Sequence, residues 1–193
     1  MADQLYLSYF LQAPSAQKAV RSFEKLLGKF PWSRLSNSAT TLRIHAVAPQ
    51  EPPLFERSLD DPPDLEAILG MVREFACGDC GLYLDTSWDL WQYETEWKLS
   101  PARVTLAAFA PEFESGSEDH VRIEFGIDEM FLPQPDLPNS MFMARSNVRS
   151  LLHLVHELDT LFGASERRLW TESGENFAER LQAALEGSGS AGE

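Results

Sequence analysis

Apolar residues recur at every second position in several segments of the chain, which is the pattern of a β-strand with one buried face. The pattern predicts strands over residues 4–11, 41–48, 80–86, 103–109 and 121–127. It also predicts a weaker strand around residues 32–36 and a short edge strand at 167–170. An acidic loop joins the last two of the five main segments, and we expect these two strands to pair antiparallel.

In four other segments the apolar residues recur every three or four positions, which is the spacing of a helix with one buried side. This spacing predicts helices over residues 15–29, 63–77, 146–162 and 174–186. Ser15 and Asp61 are suited to cap the first two helices, and Ser146 or Asn147 is suited to cap the third. Five prolines between positions 49 and 63 predict an extended connection before the second helix.

The order of these elements predicts an α+β fold in which helices cover one face of a largely antiparallel sheet. The first half is compatible with the βαββαβ order of a ferredoxin-like unit. A chain of 193 residues is long enough to bury one core. We therefore expect a single α+β domain over residues 1–186 and a flexible tail, rich in glycine and serine, over residues 187–193.

Charge is distributed unevenly along the chain. Residues 1–50 carry six Lys or Arg against two Asp or Glu, whereas residues 51–193 carry ten against twenty-eight. The first part is therefore near +4 and the remainder near −18, which gives the net charge of −14. A field of this sign repels phosphate backbones and anionic lipid, and it attracts basic proteins. We expect a basic protein partner, and neither a nucleic acid nor a membrane.

The cysteines and the apolar runs bear on the compartment. Cys77 and Cys80 form a single C-x-x-C, which is too few cysteines for a secreted disulfide framework. No apolar run approaches the roughly eighteen residues that span a bilayer, and the first residues lack the features of a signal peptide. We expect a soluble, cytoplasmic protein.

A tryptophan-rich segment is the main candidate for binding. Exposed aromatic side chains rimmed by acids would dock a basic partner, because the rings supply contact area while the carboxylates steer the approach. In the alternative, Trp88 and Trp91 close the core, with only Trp97 partly exposed. The acidic loop joins the same predicted surface, although solubility alone also explains its charge. The residues predicted to contact a partner are Trp88, Trp91, Tyr93, Glu94, Glu96 and Trp97, together with Glu112 and Glu114.

The C-x-x-C motif and the pair His153 and His156 contain the residue types that bind zinc. About seventy residues separate the two pairs, and a lone C-x-x-C is common by chance, so we expect no metal and no cofactor. Redox catalysis is also not expected. Cys77 follows the C-terminal end of a predicted helix, where the helix dipole and the neighbouring Asp79 raise the thiol pKa.

Asp159 is the one charged residue on the apolar side of the third predicted helix, and His156 lies three residues before it. A buried carboxylate beside a histidine could act as a general acid or base. A hydrolase or transferase with its site here, metal-assisted through the cysteine and histidine pairs, is therefore the enzymatic alternative. A salt bridge to Arg167 or Arg168 is the structural explanation, and we favour it.

No nucleotide-binding loop, nucleophile elbow or metalloprotease helix occurs in the sequence. Whether the protein is an enzyme stays open, with the balance against it. The patterns favour a soluble, acidic, non-enzymatic binding module whose second half holds a basic partner, for instance as an immunity or inhibitor protein. Self-association is the third hypothesis, in which the basic side of the first helix meets the acidic residues of another copy.

Overall fold

The computed structural model describes residues 3–60, 63–163 and 166–187, with side chains up to residue 184. The predicted cap Asp61 and all of the predicted tail except Gly187 lie outside the described residues. The elements, in chain order, are β1 Gln4–Phe10, α1 Ala16–Lys29, β2 Thr40–Ala46, β3 Phe55–Leu59, α2 Leu65–Phe75, β4 Cys80–Tyr93, β5 Trp97–Phe109, β6 Val121–Ile127, a 3-10 helix Asp128–Phe131, α3 Ser140–Phe162, β7 Glu166–Thr171 and α4 Phe177–Gly187.

The seven strands of the described residues form one antiparallel sheet in the order β3-β2-β4-β5-β6-β1-β7. The predicted α+β class and the predicted antiparallel pairing of β5 with β6 are confirmed. The ferredoxin-like start is not confirmed. Although β1, α1, β2, β3, α2 and β4 follow one another in the expected order, three strands separate β1 from β2 in the sheet.

The four α-helices of the described residues contribute to one core against the same face of the sheet. Phe23 of α1, Ile68 of α2, Leu151 of α3 and Phe177 of α4 are buried there with the apolar residues of β1, β2, β4, β5 and β6. Helix α1 crosses the centre of the sheet, over β4, β5 and β6. No helix of the described residues is both long enough and apolar enough to cross a lipid bilayer.

The helix caps agree only in part with the sequence predictions. Ser15 caps α1, since its hydroxyl accepts a hydrogen bond from the Lys18 N–H at 3.1 Å. Asp64 caps α2 through the N–H groups of the first turn. The predicted cap of α3 at Ser146 or Asn147 is wrong. The helix begins at Ser140, after Asn139 in a left-handed conformation (φ 59°), so Asn147 lies inside it.

One strand prediction near the sheet edge is also wrong, and one edge strand was not predicted. Residues 32–36 do not form a strand, and β3 forms instead within the proline-rich connection, at Phe55–Leu59. β3 pairs antiparallel with β2 at the edge of the sheet. Phe55 of β3 stacks on Phe75 of α2 with ring centroids 4.6 Å apart. β3 itself contains no proline, since the prolines of the connection lie before and after it.

Candidate functional site

The tryptophan-rich segment belongs to a long β-hairpin. β4 pairs with β2 only as far as Asp85, and β5 pairs with β6 only from Thr105 onward. Over the described part of the chain, residues 86–93 and 97–104 therefore have only each other as ladder partners. At about 3.3 Å per residue, this two-stranded ribbon, here called the hairpin, extends roughly 25 Å beyond the neighbouring strands.

Asn147 of α3 fixes the hairpin to the rest of the molecule. Its carboxamide oxygen accepts a hydrogen bond from the Trp91 N–H at 2.9 Å, and its amide donates to the Trp91 carbonyl at 2.9 Å and to the Met130 carbonyl at 2.7 Å. The side chain is 1% exposed, so these bonds form away from water. One buried amide thus links α3, the hairpin and the 3-10 helix.

Aromatic side chains near the end of the hairpin are half-buried. Tyr93 and Trp97 pack edge to face with ring centroids 5.3 Å apart, and the Trp97 indole N–H donates to the Pro138 carbonyl at 2.6 Å. Together with Trp91 they line a groove of about 150 Å³ between the hairpin, the 3-10 helix and the start of α3. These three rings are the part of the predicted aromatic surface that a partner can reach.

Trp88 is different, because it lies in the core. It is 4% exposed and packs against Phe30 and Phe125 with ring centroids 6.1 and 5.8 Å apart. A partner could contact this ring only if the core opened. Trp88 therefore does not belong to the surface that its neighbours in sequence form.

The acidic residues of the predicted surface lie in two places. Glu94 and Glu96 are exposed at the turn of the hairpin, whereas Glu112 and Glu114 are exposed on the loop after β5. The length of β5 separates them, which is about 40 Å for thirteen residues. Charges this far apart are screened from each other at physiological ionic strength, where the Debye length is about 8 Å. The structure does not bring the two pairs into one surface.

The loop that carries Glu112 and Glu114 folds over one end of the sheet. The Glu112 N–H donates to the Gly78 carbonyl at 3.2 Å, and the Glu114 N–H donates to the Val47 carbonyl at 2.7 Å. Phe113, between them, points inward and covers Gly81, where an added Cβ would lie 2.5 Å from the ring. Glu112 and Glu114 therefore lie on either side of the buried Phe113, and their own side chains are exposed.

The cysteines and histidines of the zinc hypothesis are not assembled into a site. The Cys77 N–H donates to Cys80 Sγ at 3.3 Å, whereas His153 and His156 are exposed on α3. Among the described residues, no group of three or more Cys, His, Asp or Glu is placed to hold a metal ion. Burial raises the pKa of the Cys77 thiol to about 12, with a further contribution from Asp79, so the nucleophilic thiolate is disfavoured.

Asp159 has a salt-bridge partner, as the structural explanation of its position predicts. It forms a salt bridge with Arg167 and accepts a hydrogen bond from the Tyr9 hydroxyl at 3.0 Å. Its side chain is 40% exposed, and His156 is exposed on the same helix. This arrangement gives the acid–base hypothesis no support, because neither the burial nor the pairing with histidine on which it depends is present.

A polar network lies on the face of the sheet opposite the helices, here called the open face. It was not predicted from the sequence. Neighbouring strands place its side chains in two rows, and both rows reach β7. The first row contains Asp85, Thr105, Glu124, Tyr6 and Trp170, and the second contains Arg43, Tyr83, Ala107, Arg122, Ser8 and Arg168.

Asp119 and Arg122 form the centre of this network. Arg122 donates to both carboxylate oxygens of Asp119 at 2.7 Å, through Nε and Nη2. The Ser8 hydroxyl also donates to Asp119, at 2.6 Å, and accepts from the Trp170 indole N–H at 3.0 Å. Burial alone would raise the pKa of Asp119, but the hydrogen bonds and charge of Arg122 outweigh it and hold the pKa below its usual value.

A second ion pair lies on the neighbouring strands. Arg43 donates to Asp85 at 2.7 Å, and the other oxygen of Asp85 accepts from the Thr105 hydroxyl at 2.7 Å. Glu124 lies two strands from Asp85. Its carboxylate is 3.8 Å from Arg122, which is a longer contact than the one between Asp85 and Arg43. Burial raises its pKa, Arg122 acts in the opposite direction, and the negative charge of Asp85 raises the pKa further.

Replacing Glu124 by glutamine is expected to stabilise the protein at neutral pH. The folded state binds the Glu124 proton more tightly than the unfolded chain does, so this group's stabilising contribution is complete below the unfolded-state pKa and is lost as pH rises through the folded-state pKa. We expect a gain on the order of 0.5 kcal/mol at pH 7 that disappears near pH 4, measured by urea unfolding. Glu56→Gln, exposed on β3, is the control, and a loss of stability at pH 7 would contradict the expectation.

A signal for the open face exists in the sequence, since its residues occupy the positions between the apolar ones in each strand. That alternation shows which residues point away from the core. It does not show the register, so it cannot pair Arg122 with Asp119 or Arg43 with Asp85.

No family model matches the chain, and searches among curated proteins and among solved structures found no significant match.

Proposed function

We propose that the protein is a non-enzymatic module that binds a basic partner protein through the end of the hairpin. The surface concerned, here called the hairpin tip, consists of Trp91, Tyr93, Glu94, Glu96 and Trp97. The observation that carries the proposal is the aromatic groove of about 150 Å³ between the hairpin, the 3-10 helix and the start of α3. Half-buried aromatic side chains in a preformed groove are the usual anchors of a protein interface.

Exposed apolar side chains support the same location. Ile127, which is 48% exposed, lines the groove, and Leu99, which is 44% exposed, lies opposite Trp91 in the hairpin ladder. Exposed apolar side chains beside a groove favour burial against a partner.

Charge favours a basic partner over an acidic one. Glu94, Glu96 and Glu129 are exposed on or beside the groove, and the nearest lysine in the turn, Lys98, is paired with Glu96 at 3.1 Å. The whole chain carries a net charge of −14, which attracts basic proteins and repels nucleic acids. An inhibitor or immunity protein for a basic partner is the form of this function that we favour.

The cysteine content supports a reducing compartment. The chain has two cysteines, of which Cys80 is buried and Cys77 is half-buried. We therefore propose the cytoplasm as the site of action, on the ground that two cysteines are too few for the disulfide framework of a secreted protein.

The test compares variants at the hairpin tip with a matched charge change at the other end of β5. Bait proteins are the unchanged chain, Glu94→Lys/Glu96→Lys, Trp97→Ala and the control Glu112→Lys/Glu114→Lys. Each captures proteins from a lysate of the source cells at low and high salt. We expect the unchanged chain and the control to retain the same basic protein at low salt, and both tip variants to lose it.

Kinetics on the captured protein then separate the two roles. Reversal of the tip charges should slow association and weaken its salt dependence, because exposed charges mainly steer the encounter. Trp97→Ala should instead speed dissociation and weaken binding by about 2 kcal/mol or more. Tyr93→Ala provides a second anchor variant, and thermal unfolding verifies that each variant is folded. If the control loses the partner as completely as the tip variants, or if no basic protein is retained, the proposal is wrong.

A further inference from the structure

A cavity of about 340 Å³ lies between α1, the loop that precedes it and the C-terminal end of α3. Three cations of α1, namely Lys18, Arg21 and Lys25, line this α1–α3 cavity. Their spacing of three and then four residues places them on one side of the helix. Leu11 and Phe162 supply an apolar wall.

The charges around this cavity differ from those of the rest of the protein. The chain has 30 acids and 16 Lys or Arg, yet no acid of the described residues lines the cavity, and none of the three cations forms an ion pair there. Lys29, one turn further along α1, is paired with Glu157 at 3.0 Å. The acid nearest in sequence, Glu24, is directed to Arg73 of α2 at 3.7 Å. The three cations are therefore not neutralised by an acid of the described residues, and their charge is available to a ligand.

Ser22 adds a neutral polar group to the lining of the cavity. It lies on the cavity side of α1 and is 6% exposed. Its hydroxyl can donate a hydrogen bond to an anion in the cavity. Lys18 is also held in position, because its ammonium group donates to the Gln12 carbonyl at 2.8 Å.

We propose that the α1–α3 cavity binds a small organic phosphate, with the phosphoryl group against Lys18, Arg21, Ser22 and Lys25. A phosphate dianion presents several acceptor oxygens, and charge-assisted hydrogen bonds from lysine and arginine to phosphate are among the strongest in proteins. The volume falls in the range of small-molecule sites, and the wall formed by Leu11 and Phe162 is suited to the apolar part of the ligand.

The net charge of −14 limits the size of this ligand. Acids elsewhere on the surface act weakly on an ion in the cavity, because the Debye length is about 8 Å at physiological ionic strength. A compact anion meets mainly the three local cations. A nucleic acid strand would extend beyond the cavity to the acidic surface, which repels it, so we infer a small ligand.

The probes are inorganic phosphate and phenyl phosphate, titrated by calorimetry at constant ionic strength. Arg21→Gln and Lys25→Gln each remove one charge inside the cavity, and the matched control Lys29→Gln removes one charge on the same helix outside it. We expect saturable binding of both probes, with phenyl phosphate bound more tightly, and a loss of about tenfold in affinity for each cavity variant. The control should change affinity by less than about twofold.

Ser22→Ala tests the geometry without a change in charge, and we expect it to weaken binding severalfold while the unfolding curve stays close to that of the unchanged protein. Equal weakening by Arg21→Gln and Lys29→Gln would overturn the proposal, because the effect would then follow net charge alone. Absence of saturable binding, or tighter binding of a short oligonucleotide than of phenyl phosphate, would overturn it as well. None of these outcomes depends on the hairpin tip.

Discussion

Replacing Trp88 by alanine is expected to lower the free energy of unfolding by about 3–5 kcal/mol. The indole is 4% exposed and packs between Phe30, at the end of α1, and Phe125 of β6. Its removal leaves a cavity that the surrounding strands and α1 can close only in part, because the sheet fixes their spacing. Urea unfolding at pH 7, monitored by circular dichroism, measures the loss.

Trp97→Ala is the matched control for Trp88→Ala. The Trp97 ring is half-buried and makes one hydrogen bond, to Pro138, so we expect a loss of about 1 kcal/mol. Trp88→Ala should therefore mainly reduce stability, whereas Trp97→Ala should mainly weaken partner binding. If Trp88→Ala cost less than about 1 kcal/mol, Trp88 would not be a core residue and would belong with the binding surface after all.

The spacing of apolar residues predicts whether a segment is helix or strand wherever one side of the element is apolar. Val121, Ile123 and Phe125 of β6 alternate with Arg122 and Glu124, and the structure buries the first set fully and the second set only in part. The strength of this signal comes from burial on one face, which constrains every second residue.

The prediction was weaker where burial does not alternate. The hairpin beyond the sheet carries aromatic residues on both of its sides, so the segment was not predicted as strand although β4 continues to Tyr93. β3 buries little, and the prolines on either side of it resemble those of a loop. α3 begins six residues before the predicted start, and Phe142 in its first turn is 70% exposed, so this turn forms helix with a large apolar residue outside the buried side.

The candidate site was predicted in part, for a geometric reason. Fewer than twenty residues separate Glu96 from Glu112 along the chain, and this proximity indicated one acidic surface. Most of that interval is the extended strand β5, which places its two ends far apart. The α1–α3 cavity shows the converse, since Ser22 and Phe162 are distant in sequence and meet only in the folded chain.

Replacing Asp119 by alanine is expected to cost about 3–5 kcal/mol at pH 7, because it leaves Arg122, whose side chain is 11% exposed, without its main partner. The Ser8 hydroxyl, 0% exposed, loses the acceptor of its hydrogen bond in the same change. The matched control is Glu166→Ala. It breaks the exposed pair with Arg168 on the same sheet and should cost at most about 1 kcal/mol.

The effect of Asp119→Ala should depend on pH in a direction that the pKa shift determines. The pKa of Asp119 is lower in the folded state than in the unfolded chain, so its stabilising contribution is complete above the unfolded-state pKa and is lost as pH falls through the folded-state pKa. The difference in unfolding free energy between the unchanged protein and the variant should therefore shrink in acid. The double variant Asp119→Ala/Arg122→Met should recover part of the loss, because it no longer buries an unpaired charge. A difference that is independent of pH, with no recovery in the double variant, would mean that Asp119 stabilises the loop by packing and not through the charge of Arg122.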